Sequence, residues 1–352
     1  MSNIRKGRIT MKIKKILSMI VCVVLVCALF GGCIVNTNPA VRVNETEMTA
    51  DEFGYYVYIS QSQLLQESGV DTSDAAAVSE FWDTKTDGKT NAEIACENAE
   101  KEAVSLLVRY NKAVEMGMEF TEEDQNSLDS DIASMQEQMG GEAAYNSQLE
   151  MLGTTPDAFK ELYKKNIVAN KLYDKLTEDG TLTVTDEDVR NYISENYIKA
   201  QHILFMTQDP TTGEVYDETT KEEKRQMAED TLKKIKDGED FAALMNELSE
   251  DTGLETYPDG YEFTKGEMVP QFEDAAFALG ENEVSDIVET SYGYHIIKRL
   301  PFEVTDEKIA EYSNTAKSAC ETERMENLIE QWKEESKVRV YRSVIKQFKN
   351  RM

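Results

Sequence analysis

Basic residues are scarce in this 352-residue chain: 38 Lys and Arg stand against 67 Asp and Glu, a formal net charge of −29. Proteins that grip nucleic acid neutralise phosphates with basic patches, so no nucleic-acid partner is expected. Cysteine is also thin. Of the five, Cys22, Cys27 and Cys33 crowd into the first 33 residues, and the remaining pair, Cys96 and Cys320, is too small for a disulfide framework or a metal cluster. Those two are free to join outside a cell or to stay as buried thiols. Histidine occurs only twice, and without a Gly-x-Ser-x-Gly elbow a Ser/His/Asp hydrolase is a poor reading. No internal repeat is visible, and no apolar run reaches the roughly 20 residues that span a bilayer.

What is present begins with an address. Residues 1–32 hold six basic side chains (Arg5, Lys6, Arg8, Lys12, Lys14, Lys15) and no acid, which leaves 32 bases against 67 acids beyond them. A 15-residue apolar run, Ile16 to Phe30, follows the basic stretch, the layout of an export signal. Met11 is an alternative start. Leu29-Phe30-Gly31-Gly32-Cys33 resembles the lipobox of bacterial lipoproteins, which implies that Cys33 carries the lipid and becomes the new N-terminus. An uncleaved signal anchor is the alternative, and either would tether the chain outside the cytoplasmic membrane.

A length of 352 residues predicts two or three domains. After a polar tether over 33–42, Thr49 and Glu52 have capping-box spacing, which predicts a helix from Ala50 with Phe53, Tyr56, Val57 and Leu64 along one side. Further helical stretches are expected near 91–118, 121–138 and 155–178, the last announced by Thr155-Pro156-Asp157. The region 43–195 therefore reads as all-α. From 196 to 302 strand-like runs alternate with helices: Ala200–Met206 extended, 221–236 and 240–248 helical, Tyr294–Leu300 extended, an α+β pattern. Beyond residue 302 lie helices again, with Val338, Val340, Val344, Ile345 and Phe348 on an apolar face. A tail of this size makes no core of its own, so it should pack back on the first helical region, with the middle domain inserted between.

Both histidines fall in the two clearest strands of the middle domain, in Lys199-Ala200-Gln201-His202-Ile203-Leu204 and Thr290-Ser291-Tyr292-Gly293-Tyr294-His295-Ile296-Ile297-Lys298. These segments resemble the opening and closing strands of the parvulin family of peptidyl-prolyl isomerases. Between them, Gly266-Glu267-Met268-Val269-Pro270-Gln271-Phe272 is similar to the family's Met/Phe segment. Asn282-Glu283-Val284-Ser285 is similar to its Gly-x-x-Ser turn, with Asn282 in place of glycine. With the export signal and the flanking helices, the whole chain resembles PrsA-type foldase lipoproteins, which share a chaperone domain with SurA-like factors.

The resemblance implies an α+β fold, a parvulin-like domain of a small antiparallel sheet with surrounding helices, inserted in an all-α chaperone domain. It implies peptidyl-prolyl cis/trans isomerisation in unfolded or partly folded exported polypeptides, with no metal or cofactor, a lipid anchor to the membrane, and room for a homodimer. Carried over residue by residue, His202 and His295 are paired at the floor of the site with Thr290 beside them. Asp251, in Ser249-Glu250-Asp251, faces the substrate amide; Met268 and Phe272 line the proline pocket, with Tyr292 at the substrate-binding face. Two departures stand out: the family's Gly-Gly-Asp-Leu-Gly stretch appears here as Tyr257-Pro258-Asp259-Gly260-Tyr261, which loses a pocket leucine at Gly260, and Tyr292 stands where a smaller residue is frequent. A non-catalytic chaperone retaining the fold is accordingly the main rival. A transporter's substrate-binding lipoprotein would need two α/β lobes of repeated strand–helix units, which neither half shows.

Overall fold

The computed structural model describes residues 36–350 and 352, so the export segment and Cys33 lie outside the described residues. Within them the chain forms two compact units, one built from the residues up to Thr183 together with Arg324–Met352, the other from Val184–Glu323.

The first unit opens with β1 (Pro39–Val43) and β2 (Thr46–Thr49), followed by α1 (Ala50–Ser68) and α2 (Ala75–Asp83). A hairpin of β3 (Lys85–Thr86) and β4 (Lys89–Thr90) leads to α3 (Asn91–Glu115), α4 (Glu122–Met139), α5 (Glu142–Met151) and α6 (Pro156–Glu178). The helix starts follow local chemistry. Thr49 and Glu52 close a complete capping box, as do Thr90 with Glu93 and Thr121 with Asp124, while Thr155 caps α6 just ahead of Pro156. The core of this unit gathers Phe53 and Val57 of α1, Leu106 and Leu107 of α3, and Leu162 and Leu172 of α6. The buried Glu52 of α1 pairs with the partly buried Lys165 of α6.

In the second unit, α7 (Asp186–Asn196) runs into β5 (Tyr197–Met206), then α8 (Glu218–Lys236), α9 (Phe241–Leu248), β6 (Tyr261–Thr264), α10 (Pro270–Ala278), β7 (Val288–Thr290) and β8 (Gly293–Leu300). The four strands make one antiparallel sheet in the order β6-β5-β8-β7. Then α11 (Asp306–Glu334) leaves this unit, and β9 (Val338–Val340) and α12 (Arg342–Lys349) complete the first.

The region read from periodicity as all-α is not wholly helical: β1 is the centre of a three-stranded sheet, β2-β1-β9. Strands of three to five residues show too little alternation to register against the helical pattern around them, and β9 comes from the far end of the chain. There Val41 faces Val340 and Val43 faces Val338, both antiparallel. The tail helix α12 buries Val344, Ile345 and Phe348 in the core of the same unit. Cys96 and Cys320 are both buried, and no disulfide joins them.

Candidate active site

The site begins with the register of β5 on β8. His202 lies opposite Ile297 and Leu204 opposite His295. Side chains two apart on a strand share a face, so the histidines are diagonal neighbours on one side of the sheet. The opposite side, with Ile203, Phe205, Tyr294 and Ile296, packs into the core under α8 and α9. The two imidazoles stack nearly parallel, centroids 5.2 Å apart and planes at 11°, with Nδ1 to Nδ1 at 2.9 Å. Both are nearly sealed from solvent, His202 at 9% and His295 at 4% exposure.

Asp251 reaches His202 because the segment before it is fastened to β5. Strand β6 pairs with β5 only from Tyr197 to Ala200, which leaves the amides beyond without strand partners on that edge. Ser249 Oγ accepts from Leu204 N–H at 3.1 Å, Glu250 Oε2 accepts from Met206 N–H at 2.7 Å, and Glu250 N–H donates to Leu204 O at 2.8 Å. Buried backbone donors are thereby satisfied by a loop in place of a strand. The next residue then presents its carboxylate to the histidine, Asp251 Oδ2 to His202 Nε2, at 3.0 Å.

The same oxygen accepts from the Tyr261 hydroxyl at 2.7 Å, and Oδ1 accepts from Gly253 N–H at 3.0 Å. Burial by itself would raise the Asp251 carboxyl; the hydrogen bonds from His202, Tyr261 and Gly253 together outweigh it and hold the group well below the usual carboxylate range. An ionised carboxylate only accepts, so His202 Nε2 carries a proton and, in the neutral ring, Nδ1 is an acceptor. His295 Nδ1 must then donate, and its Nε2 accepts from the Thr290 hydroxyl at 2.9 Å. Thr290 Oγ in turn accepts from Tyr292 N–H at 3.1 Å. One consistent direction runs from Thr290 through both rings to Asp251. Burial, then the neighbouring His202, push the His295 imidazole down to about 3, so that ring stays neutral.

An apolar wall stands against this polar row. Phe272, on α10, meets His202 and His295 edge to face at 5.2 and 5.4 Å and is 4% exposed. Met268 packs in the same cluster with Phe263, Phe272 and Ile297. Helix α10 begins only at Pro270, with Val269 as its cap, so Met268 approaches from the preceding turn. Tyr292 is half exposed at 48%, its backbone tied to Thr290 and, through its carbonyl, to Thr207 N–H. Asn282 occupies a left-handed conformation at φ +65°, which asparagine tolerates where glycine is usual. Ser285 Oγ accepts from Ile297 N–H at 2.9 Å, so this turn extends the pairing of β8.

The structure thus joins His202, His295, Thr290 and Asp251 in one hydrogen-bonded row, sets Phe272 and Met268 beside it, and leaves Tyr292 at its exposed end. Sequence reasoning missed Tyr261, whose position read only as a departure from a glycine. No local pattern could announce a contact between a strand residue and a loop residue ten positions before it.

Residues 187–302 match the family model of the PPIC-type PPIase domain. Foldase protein PrsA 3 of Bacillus cereus is 36% identical over 197 residues, 54% of this chain and 59% of that protein, so the match spans less than two thirds of that relative. Foldase protein PrsA of a Geobacillus species is 32% identical over 244 residues, 68% of this chain and 75% of its own. A solved structure of PrsA from Bacillus cereus covers 75% of this chain and 90% of its own, at 22% identity and a TM-score of 0.32, a likeness too loose to carry an argument. The Geobacillus relative aligns well beyond the isomerase domain, through most of its length, and on that basis the chain belongs to the PrsA family of foldase proteins.

Proposed function

We propose that the chain is a membrane-anchored, extracytoplasmic foldase that isomerises peptidyl-prolyl bonds in exported polypeptides, held at the membrane by a lipid on Cys33. The observation that supports this best is the closed row Thr290–His295–His202–Asp251 lying against Phe272. A peptidyl-prolyl bond crosses a barrier of about 18–20 kcal/mol and turns over in about 10–100 s unaided, slow enough to limit folding. No bond breaks, so no nucleophile is required. The planar amide is the more polar form, with negative charge drawn onto its oxygen; the twisted form has less. A dry wall of Phe272 and Met268 around the proline ring therefore favours the twisted state over the planar one. Neutral His295 presents a rigid ring edge without a positive charge that would reinforce the planar form. The Asp251 charge, compensated only by hydrogen-bond donors, opposes the growth of negative charge on a nearby carbonyl oxygen.

The rival reading, a holdase with an idle isomerase fold, draws on Gly260. Its φ is +98°, and a Cβ there would lie 2.7 Å from Ala200 O, so the backbone at this point has no room for the pocket leucine that the parvulin resemblance expects. The test is cis/trans exchange of a series of X-Pro peptides with the full chain beside Phe272→Ala and Asp251→Ala. Rates above background that fall at least about tenfold in both folded variants support the isomerase. Background rates with every peptide, together with suppressed aggregation of an unfolded client, would instead support the holdase. Anchoring is checked separately by incorporation of labelled fatty acid, which Cys33→Ser should abolish.

A further inference from the structure

Tyr261 opens β6 opposite Ala200, directly after Gly260, where the chain turns tightly against β5. That turn delivers the phenol ring beside His202, edge to face at 5.7 Å, with the Tyr257 ring covering it at 4.9 Å. The hydroxyl passes close over Gly253: a Cβ at that glycine would come within 2.0 Å of it. Two glycines therefore clear the path by which Tyr261 reaches Asp251, and the 2.7 Å bond is the shortest that Asp251 accepts.

We propose that Tyr261 is a positioning residue of the isomerase site, whose hydroxyl locks the Asp251 carboxylate so that the hydrogen bonds through both histidines run in a single direction. The two rings and Thr290 by themselves allow two directions. In one, His202 carries its proton on Nε2 and His295 on Nδ1; in the other, His202 donates from Nδ1, His295 accepts there, and His295 Nε2–H donates to Thr290 Oγ. Only a fixed, ionised acceptor at the Asp251 end selects the first. Each oxygen of Asp251 has a protein donor, but Oδ2 is shared between His202 and Tyr261, and Tyr261 is what keeps that oxygen turned toward the imidazole. Without the hydroxyl the carboxylate gains rotational freedom and water competes for Oδ2, so the two directions mix.

The sequence makes this directly readable, because the full chain has two histidines. Histidine labelled with 15N gives two ring systems, whose long-range 1H–15N correlations report each tautomer. In the native protein His202 should be the Nε2–H form and His295 the Nδ1–H form. In Tyr261→Phe both rings should show shifts averaged between tautomers. Gly253→Ala, which displaces the hydroxyl while keeping the tyrosine, should do the same and serves if the first variant does not fold. Isomerisation kcat/KM should fall about 3- to 10-fold in Tyr261→Phe, the scale of one hydrogen bond lost from a network that keeps its other members. In an Asp251→Ala background the same change should cost less than about twofold, since the two residues act as one unit. Unchanged tautomers in both variants, or an equal rate loss in both backgrounds, would overturn the proposal. The rate arm rests on the isomerase reading and the tautomer arm does not: if the native chain shows no isomerisation, the ring shifts alone decide about Tyr261.

Discussion

His295 sits almost sealed in the sheet with a hydrogen-bond partner on each ring nitrogen, and this makes its protonation a lever on stability. Unfolded, it takes a proton near 6.5; folded, only near 3, because burial and then His202 oppose the charge. The unfolded state thus binds the proton more readily, so the stability is complete above about pH 6.5 and is lost progressively as pH falls toward 3. Asp251 adds to this at lower pH: its folded value lies below the unfolded one, near 3.9, so its contribution also drains away on acidification. Urea unfolding of the second unit, followed by the histidine ring signals, should show a midpoint that drops between pH 7 and pH 4.5. Both tryptophans, Trp82 and Trp332, belong to the first unit, so their fluorescence is a built-in control. A histidine-reported midpoint that stays flat over this range would refute the linkage. At this scale the two histidine-bearing strands were legible in the sequence, and the other site residues followed only from the resemblance to the parvulin segments. The donor and acceptor roles were not, since they depend on Tyr261 and Gly253 arriving from elsewhere.

Among the elements, α1 carries the sharpest packing constraint. Gly54 lies inside this helix, where alanine would ordinarily gain about 0.5–1 kcal/mol. Here a Cβ would fall 2.0 Å from Gly153 O and 3.3 Å from Phe348, and the first of these is backbone that cannot swing aside. Gly54→Ala should therefore destabilise the first unit by about 1–3 kcal/mol, seen as a lower tryptophan-monitored melting temperature. An unchanged or raised melting temperature would show that the close approach is relieved at little cost. The boundaries of the second unit also follow packing. Tyr197 stacks on Tyr312 at 4.3 Å, and Val189, Ile193 and Ala316 bury together, which joins α7 and the first turns of α11 to the domain. The expectation of a domain over 196–302 followed the alternation of strand-like and helical runs and the parvulin resemblance; the compact unit runs from Val184 to Glu323. Helix starts were legible because a capping box is written within four residues, as at Thr49 and Glu52 or Thr185 and Asp188. The short strands β1, β2 and β9 were not, because their partners and not their own residues define them.

For the molecule as a whole, the tail is what closes the first unit. Val338–Val340 supplies the third strand beside β1, and α12 places Val344, Ile345 and Phe348 among Val41, Phe53 and Leu106, with an edge-to-face contact between Phe53 and Phe348 at 5.4 Å. Removing residues 336–352 would expose that apolar surface and leave an edge of β1 open. Such a truncation should lower the tryptophan-monitored melting temperature markedly and promote aggregation, while the histidine signals of the second unit keep their native shifts. A tail that could be removed without effect on the first unit would contradict the packing described here. The acidic balance, the helix starts and the histidine-bearing strands are all statements about neighbours along the chain or about totals, and the sequence determines them by itself. The β1–β9 pairing and the Tyr261–Asp251 bond each depend on where distant segments meet. Only tertiary structure decides them, because one turn at Gly260 or one strand 295 positions away changes which groups touch without altering any local pattern.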